Sequence, residues 1–268
     1  MTLASGRKSI FITGAGSGIG RATAKLFSDR GWFCGLYDVS AVGVAETLSQ
    51  ITPGAAISGV FDVRDRAGWS DAVGQFGDAT GGKMHVLFNN AGVGRHGWFE
   101  EVPPEDADWI VDVNLKGVIN GVYAALPLLK ATPGARVVNT ASTAGVVGSP
   151  KLAVYSATKF AVRGLTEALD VEFAGLGVRV TCLTPWFVET PILDISASGR
   201  SNARMRDQIR AKGMSVYPVD MAAERAWDAA HGDAQVYPVG KDAQQARFMA
   251  RFFPNGLKKR LIATLDRR

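Results

Sequence analysis

The chain has 268 residues, 47% of them hydrophobic and 21% charged, with room for one large α/β domain or two small ones around a sizeable core. No apolar run approaches the ~18 residues of a membrane-crossing helix, and the start lacks a signal-peptide core, so a soluble cytoplasmic protein is expected. The net charge of +5 is concentrated at the end: residues 241–268 carry eight Lys/Arg against two Asp. The other 240 residues are close to neutral, which argues against a nucleic-acid partner for the body of the protein.

In chain order, β-rich apolar runs at 9–13, 33–37, 55–61, 85–88, 135–139, 178–183 and 235–239 alternate with helical patterns near 19–30, 41–51, 66–79, 105–130, 153–175 and 219–231. Continuous apolar strands are expected where both faces of a sheet are covered. The alternation predicts a single-domain α/β fold of the Rossmann type, a doubly wound parallel sheet of about seven strands with helices on both faces. The domain spans 1–240, and 241–268 form a basic amphipathic helical extension. Residues 190–215, including Ser196-Ala197-Ser198-Gly199, interrupt the rhythm and read either as a lid or as a surface helix pair. Cys34 and Cys182 fall in apolar strand segments as core residues, and the three histidines are scattered, so neither a disulfide framework nor a metal site is expected.

The first strand runs into Thr13-Gly14-Ala15-Gly16-Ser17-Gly18-Ile19-Gly20 and then a helix. Glycines at 14, 18 and 20 permit a tight turn and close backbone approach, and the helix N-terminus offers free N–H groups to a pyrophosphate. Asp38 ends the second strand, 18 residues beyond Gly20. A carboxylate there can accept hydrogen bonds from an adenosine ribose and repel a 2′-phosphate; the alternative is a cap for the helix starting near Ala41. With no Arg or Lys at 36–40, NAD is the expected cofactor. Tyr155 and Lys159 lie one helical turn apart, so phenol and ammonium share a helix face. A cation within ~4–6 Å favours the phenolate, which would make Tyr155 a proton carrier.

Together these residues resemble the short-chain dehydrogenase/reductase family. The match runs from the glycine loop through Asp62-Val63, Asn89-Asn90-Ala91-Gly92, Asn114 and Ser142 to Tyr155-x-x-x-Lys159, over about 10–240 of the chain. The resemblance implies that Tyr155 is the general acid/base, that Lys159 lowers its pKa and binds the nicotinamide ribose, and that Ser142 polarises the substrate oxygen. It implies that Asn114 holds a water linking Lys159 to solvent, and that Asp62 and Val63 contact the adenine. The remaining cofactor contacts it implies are Gly14, Ser17, Gly18, Ile19, Gly20, Asn90, Ala91, Gly92, Pro185, Val188 and Thr190. Singly, Ser142 reads equally as a turn residue, Asn114 as a buried amide serving backbone, and Asn89 and Asn90 as strand-end caps.

After the sixth strand the family usually has Pro-Gly, whereas here Trp186 follows Pro185. Losing the glycine removes access to positive φ and brings an indole towards the nicotinamide. A smaller, flatter substrate space is therefore expected, walled by Trp186, His96 and Leu152 beside Ser142 and Tyr155. Arg95, Lys151 and Arg204 are interspersed with Val146, Val147, Ile192 and Leu193, which marks no anionic substrate. The expectation is an NAD(H)-dependent oxidoreductase interconverting a secondary alcohol and a ketone. The alternatives are an NADP-dependent ketone reductase or a dinucleotide-binding redox sensor. Resemblance also implies a homotetramer or homodimer through the helices at 105–130 and 153–175. The extension, broken at Pro254-Asn255-Gly256 into two short helices, is expected to pack on protein, with contact to a membrane surface the less favoured fate.

Overall fold

The computed structural model describes residues 6–194, 205–263 and 265. Among them, seven strands form one parallel sheet in the order β3-β2-β1-β4-β5-β6-β7. These are β1 (Ser9–Thr13), β2 (Phe33–Asp38), β3 (Ala56–Val60), β4 (Val86–Asn89), β5 (Arg136–Thr140), β6 (Arg179–Pro185) and β7 (Val236–Val239). Each lies within about two residues of its expected place. The order reverses between β1 and β4, and in such sheets ligands bind at the carboxyl ends of the strands flanking that switch.

Side-chain alternation along β1 builds both cores. Ile10 and Ile12 point to one face, against Phe27 of α1 (Gly18–Asp29) and Ala226, Ala229 and Ala230 of α8 (Val219–His231). Phe11 points to the other, against Trp69 and Phe76 of α3 (Arg66–Thr80) and Val122 and Leu129 of α5 (Gly117–Lys130). Phe11 stacks on Tyr37 with centroids 4.3 Å apart. Burying each such aromatic contributes about 1.5–3 kcal/mol, which anchors the strand whose end carries the glycine loop. The second helix, α2 (Ala41–Leu48), is capped by Ser40, whose hydroxyl accepts from the Gly43 N–H at 3.1 Å. Asp38 is therefore not its cap.

The expected helix at 105–130 is three pieces: α4 (Pro104–Val111), a π-helical turn at Asp112–Lys116, and α5. Asn114 sits in that π turn, a distortion that marks functional sites more often than ordinary helix does. The next helix, α6 (Ala153–Glu172), carries Tyr155 and Lys159 and is fixed at its far end by Asp170. The Asp170 carboxylate accepts from Val180 N at 2.9 Å and pairs with Arg179 at 3.0 Å. In the expected lid, the described parts are a 3-10 turn at Pro191–Asp194 and α7 (Met205–Ala211). Ser196 to Gly199 and Arg204 lie outside the described residues. The extension forms α9 (Lys241–Phe252) and α10 (Pro254–Ala263), broken where Pro254 requires it.

Candidate active site

A cleft of about 1250 Å³ opens at the carboxyl ends of the strands. Asn89 and Val146 do not line it, and of the catalytic, cofactor and substrate-wall residues named from sequence all but Gly20 and Asn114 do. Those two stand directly behind the wall.

The nucleotide end is built from backbone. Gly14 has φ +67°, and a Cβ there would sit 2.9 Å from Ala91 Cα; at Gly20 it would collide with the Gly14 carbonyl. Ser17 precedes α1 without making a side-chain cap, so the first N–H groups of the helix face the cleft unshielded by it. Asn90 ties three strand ends together: its Nδ2 donates to Thr13 O at 3.1 Å, and its Oδ1 accepts from Thr140 Oγ1 at 3.3 Å. Asp38 accepts from Gly16 N and Ser40 N, both at 2.9 Å, one on each carboxylate oxygen. Each oxygen keeps a lone pair for a ribose hydroxyl. These residues fit a dinucleotide: a cradle that a Cβ would fill, a helix N-terminus, and an acceptor at the end of β2.

Asp62 is more occupied than its expected adenine contact requires. Arg64, two residues on, pairs with it at 2.6 Å, and this hydrogen-bonded guanidinium holds the carboxyl below its usual pKa. Arg64 lies outside residues 36–40 because it comes from the end of the neighbouring strand, β3.

At the other end of the cleft the chemistry is carried by side chains. Ser142 Oγ accepts from Ala144 N at 3.1 Å, which leaves its proton free for another partner, and it also interacts with the Tyr155 phenol. Lys159 is 3% exposed and donates to Thr140 O at 2.7 Å, with Nζ 5.6 Å from the Tyr155 ring centroid. Burial lowers its pKa to about 8. The expectation that Lys159 depresses the Tyr155 pKa is corrected: burial raises it, and the hydrogen bond with Ser142 offsets this only in part. Desolvation acts on both groups, and the Lys159 ammonium is already engaged by the Thr140 carbonyl.

Asn114 is fully buried; its Oδ1 accepts from Val93 N at 2.8 Å and its Nδ2 donates to Val93 O at 2.9 Å. The amide thus serves backbone and holds the 92–94 turn beside Lys159. Thr190 lies over the glycine loop, its Cγ2 2.9 Å from where a Gly18 Cβ would be, and the Pro185 carbonyl accepts from Thr143 Oγ1 at 2.9 Å. Trp186 lines the cleft, edge-on to Phe187 at 5.2 Å, with its Nε1 buried and unpartnered. Losing the family glycine costs no backbone strain here. Among the described residues the one non-glycine at positive φ is Lys151, not Trp186.

Leu152, Leu193, Met205 and Ile209 pack with Tyr155 and Phe187 into an apolar floor. Sequence analysis missed the wall made by Gln245, Met249, Leu257 and Leu261, through which the extension lines the cleft of its own domain. The amphipathic spacing of that segment was visible, but its partner was not. Arg95 pairs with Asp106 at 2.9 Å and stacks over Trp109. Cys34 and Cys182 are buried, and burial pushes both thiols up to about 12. Among the described residues no helix is long and apolar enough to cross a membrane, and no three His, Cys, Asp or Glu side chains gather as metal ligands.

The doubly wound sheet, the glycine cradle at its switch point and the polar trio beyond it define a dinucleotide-dependent oxidoreductase. The model of the short chain dehydrogenase family matches residues 8–201, and the chain belongs to the short-chain dehydrogenase/reductase family. Oxidoreductase UcpA of Escherichia coli K12 is 34% identical over 221 residues, spanning 81% of this chain and 82% of UcpA. Cyclohexanol dehydrogenase of Acinetobacter sp. strain SE19 is 34% identical over 189 residues, spanning 69% and 75%. A short-chain dehydrogenase/reductase of Burkholderia phymatum, solved in complex with NAD, superimposes with a TM-score of 0.84 at 30% identity over 95% of each chain.

Proposed function

We propose that the protein interconverts a secondary alcohol and a ketone with NAD(H), using Tyr155 as general acid/base. The observation that carries this is the meeting of Ser142, Tyr155 and Lys159 on one wall of a cleft continuous with the glycine cradle. The nicotinamide supplies or accepts hydride when bound. Gly14, Gly18 and the start of α1 hold its pyrophosphate, Asp38 orients the adenosine ribose, and Thr190 closes over the loop. Ser142 donates to the carbonyl oxygen and polarises it as charge develops there. Tyr155 gives that oxygen its proton in reduction and takes it back in oxidation. Burial keeps the phenol protonated at neutral pH, which suits the reductive role. Lys159 orders the ribose side and, with Asn114 behind it, the turn at Gly92.

Similarity to a cyclohexanol dehydrogenase supports an alcohol substrate, as does the apolar floor. Preference for NAD rests on Asp38. One observation favours NADP, the Arg64 guanidinium at the adenine end, but its ion pair with Asp62 offsets its charge. Assembly as a dimer or tetramer is supported by Tyr123 on α5 and Phe160 and Val171 on α6, which are 73%, 41% and 76% exposed. Light scattering in solution tests it, and a monomer at micromolar concentration refutes it. For the reaction, a screen of secondary alcohols with NAD and with NADP is expected to give turnover that Tyr155→Phe abolishes. Full activity in Tyr155→Phe would remove the mechanism.

A further inference from the structure

Within the apolar substrate end, one polar side chain is out of character. His96 is 7% exposed, lines the cleft, and has its Nδ1 buried without a hydrogen-bond partner. A buried polar atom left unmet costs stability. The cost is borne at a well-fixed place. The N–H of Gly97, next to His96, donates to Lys151 O at 2.9 Å, and Lys151 itself holds the left-handed φ of 63°. Such a conformation is strained in a residue with a side chain, and it tends to persist where function holds it. Lys151 leads into Leu152 and α6, whose third residue is Tyr155. The imidazole and the phenol are therefore set by one pair of abutting loops.

Burial, aided by the charges of Lys151 and Lys212 that face it, holds His96 neutral, its pKa lowered to about 4. A neutral imidazole offers one donor and one acceptor and no charge. Lys151 has its ammonium over the Trp98 ring, 5.0 Å from the centroid.

Resting on the alcohol–ketone function proposed above, we propose that His96 hydrogen-bonds a second, uncharged oxygen of the substrate. Preferred substrates are then hydroxyketones or diketones, and the corresponding diols, rather than simple ketones. The second oxygen is neither oxidised nor reduced: hydride goes to the carbonyl carbon, the Tyr155 proton to its oxygen, and His96 keeps hold of the other function. A site built to hydrogen-bond a polar group rejects the analogue lacking it far more strongly than an apolar pocket rejects a missing methylene.

The test compares kcat/KM with NADH for cyclohexanone, 3- and 4-hydroxycyclohexanone, cyclohexane-1,4-dione and 4-oxocyclohexanecarboxylate. Wild type, His96→Phe and His96→Gln are measured, with folding of each followed by thermal unfolding. At least one oxygenated neutral ketone is expected to exceed cyclohexanone by about tenfold or more in wild type. His96→Phe should bring that ratio close to one, and His96→Gln, which keeps a donor and an acceptor, should restore part of it. If His96→Phe fails to fold, the ratio in His96→Gln against His96→Leu decides. An unchanged ratio on loss of the imidazole overturns the proposal while leaving the alcohol–ketone function intact. Preference for the carboxylate overturns it in favour of Lys151 and Lys212 as readers of an anion. No wild-type turnover of any ketone sinks the underlying function, and the proposal with it.

Discussion

The two ends of the cleft are made of different material. At the nucleotide end, contacts are backbone groups and short polar side chains: Gly14, Gly20, Thr13 and Asn90 lock together, and Asp38 is already held by two N–H groups. At the substrate end, long side chains from five separate segments meet, and two polar atoms, His96 Nδ1 and Trp186 Nε1, are buried without partners. A backbone cradle tolerates almost no substitution, because a carbonyl cannot move aside as a side chain can. A wall of side chains can be rebuilt residue by residue. One end is therefore suited to a constant ligand and the other to a variable one.

The largest expected effect is on the chemistry where the two ends meet. Tyr155→Phe should lower kcat by about 10²–10⁴-fold while leaving dinucleotide affinity nearly intact, as read by NADH fluorescence titration. Loss of NADH binding in that variant would mean that Tyr155 belongs to the nucleotide end instead. In the wild type, the oxidation rate should climb with pH through the alkaline range, because a phenol whose pKa is raised becomes a base only there.

Next comes Gly20→Ala, whose methyl would meet the Gly14 carbonyl. Overpacking of this kind costs roughly 1–3 kcal/mol and should weaken NADH binding with all substrates alike. A variant with normal cofactor affinity would break the contrast between a rigid end and an adaptable one. Asp38→Ala should act at the same end but more selectively, raising the ratio of NADP to NAD turnover without changing the ranking of alcohols.

At the substrate end, His96 links stability to pH. Its pKa is about 4 in the fold against an ordinary 6.5, so between these values the unfolded chain binds a proton that the native state does not. The contribution of His96 is thus flat above pH 6.5 and falls as pH drops towards 4, by about 3 kcal/mol at 1.36 kcal/mol per pKa unit. Urea unfolding of His96→Phe should lack that part of the acid loss. The last is Trp186→Gly, which should widen the range of ketones accepted; with no backbone strain to relieve, it loses the packing of the indole on Phe187 without compensation. An unchanged substrate range would show the indole to be packing alone.

This division also explains how far the sequence could be read. The strand–helix alternation, the glycine loop and Asp38 are local patterns within a βαβ unit, so the sheet and nucleotide end were legible to within a residue or two. The π turn around Asn114 was not, because its helical periodicity hardly differs from that of its neighbours. Nor was the contribution of α9 and α10: their apolar faces were evident, but nothing local says that Met249 and Leu261 look into the cleft. Trp186 was visible in the sequence as a departure, but that the chain there needs no positive φ, running on from β6 to lie alongside Tyr217, was not.

By itself the sequence determined which groups are present and which lie one helical turn or one strand apart: the cradle, the carboxylate at the end of β2, and the Tyr155–Lys159 pair. Only the tertiary structure decided their electrostatic state. Spacing alone suggested that Lys159 would draw the proton from Tyr155. The fold buries Lys159 and half-buries Tyr155, gives the ammonium to the Thr140 carbonyl and raises the phenol. Proximity is written in the local chain, whereas desolvation depends on everything that packs around it.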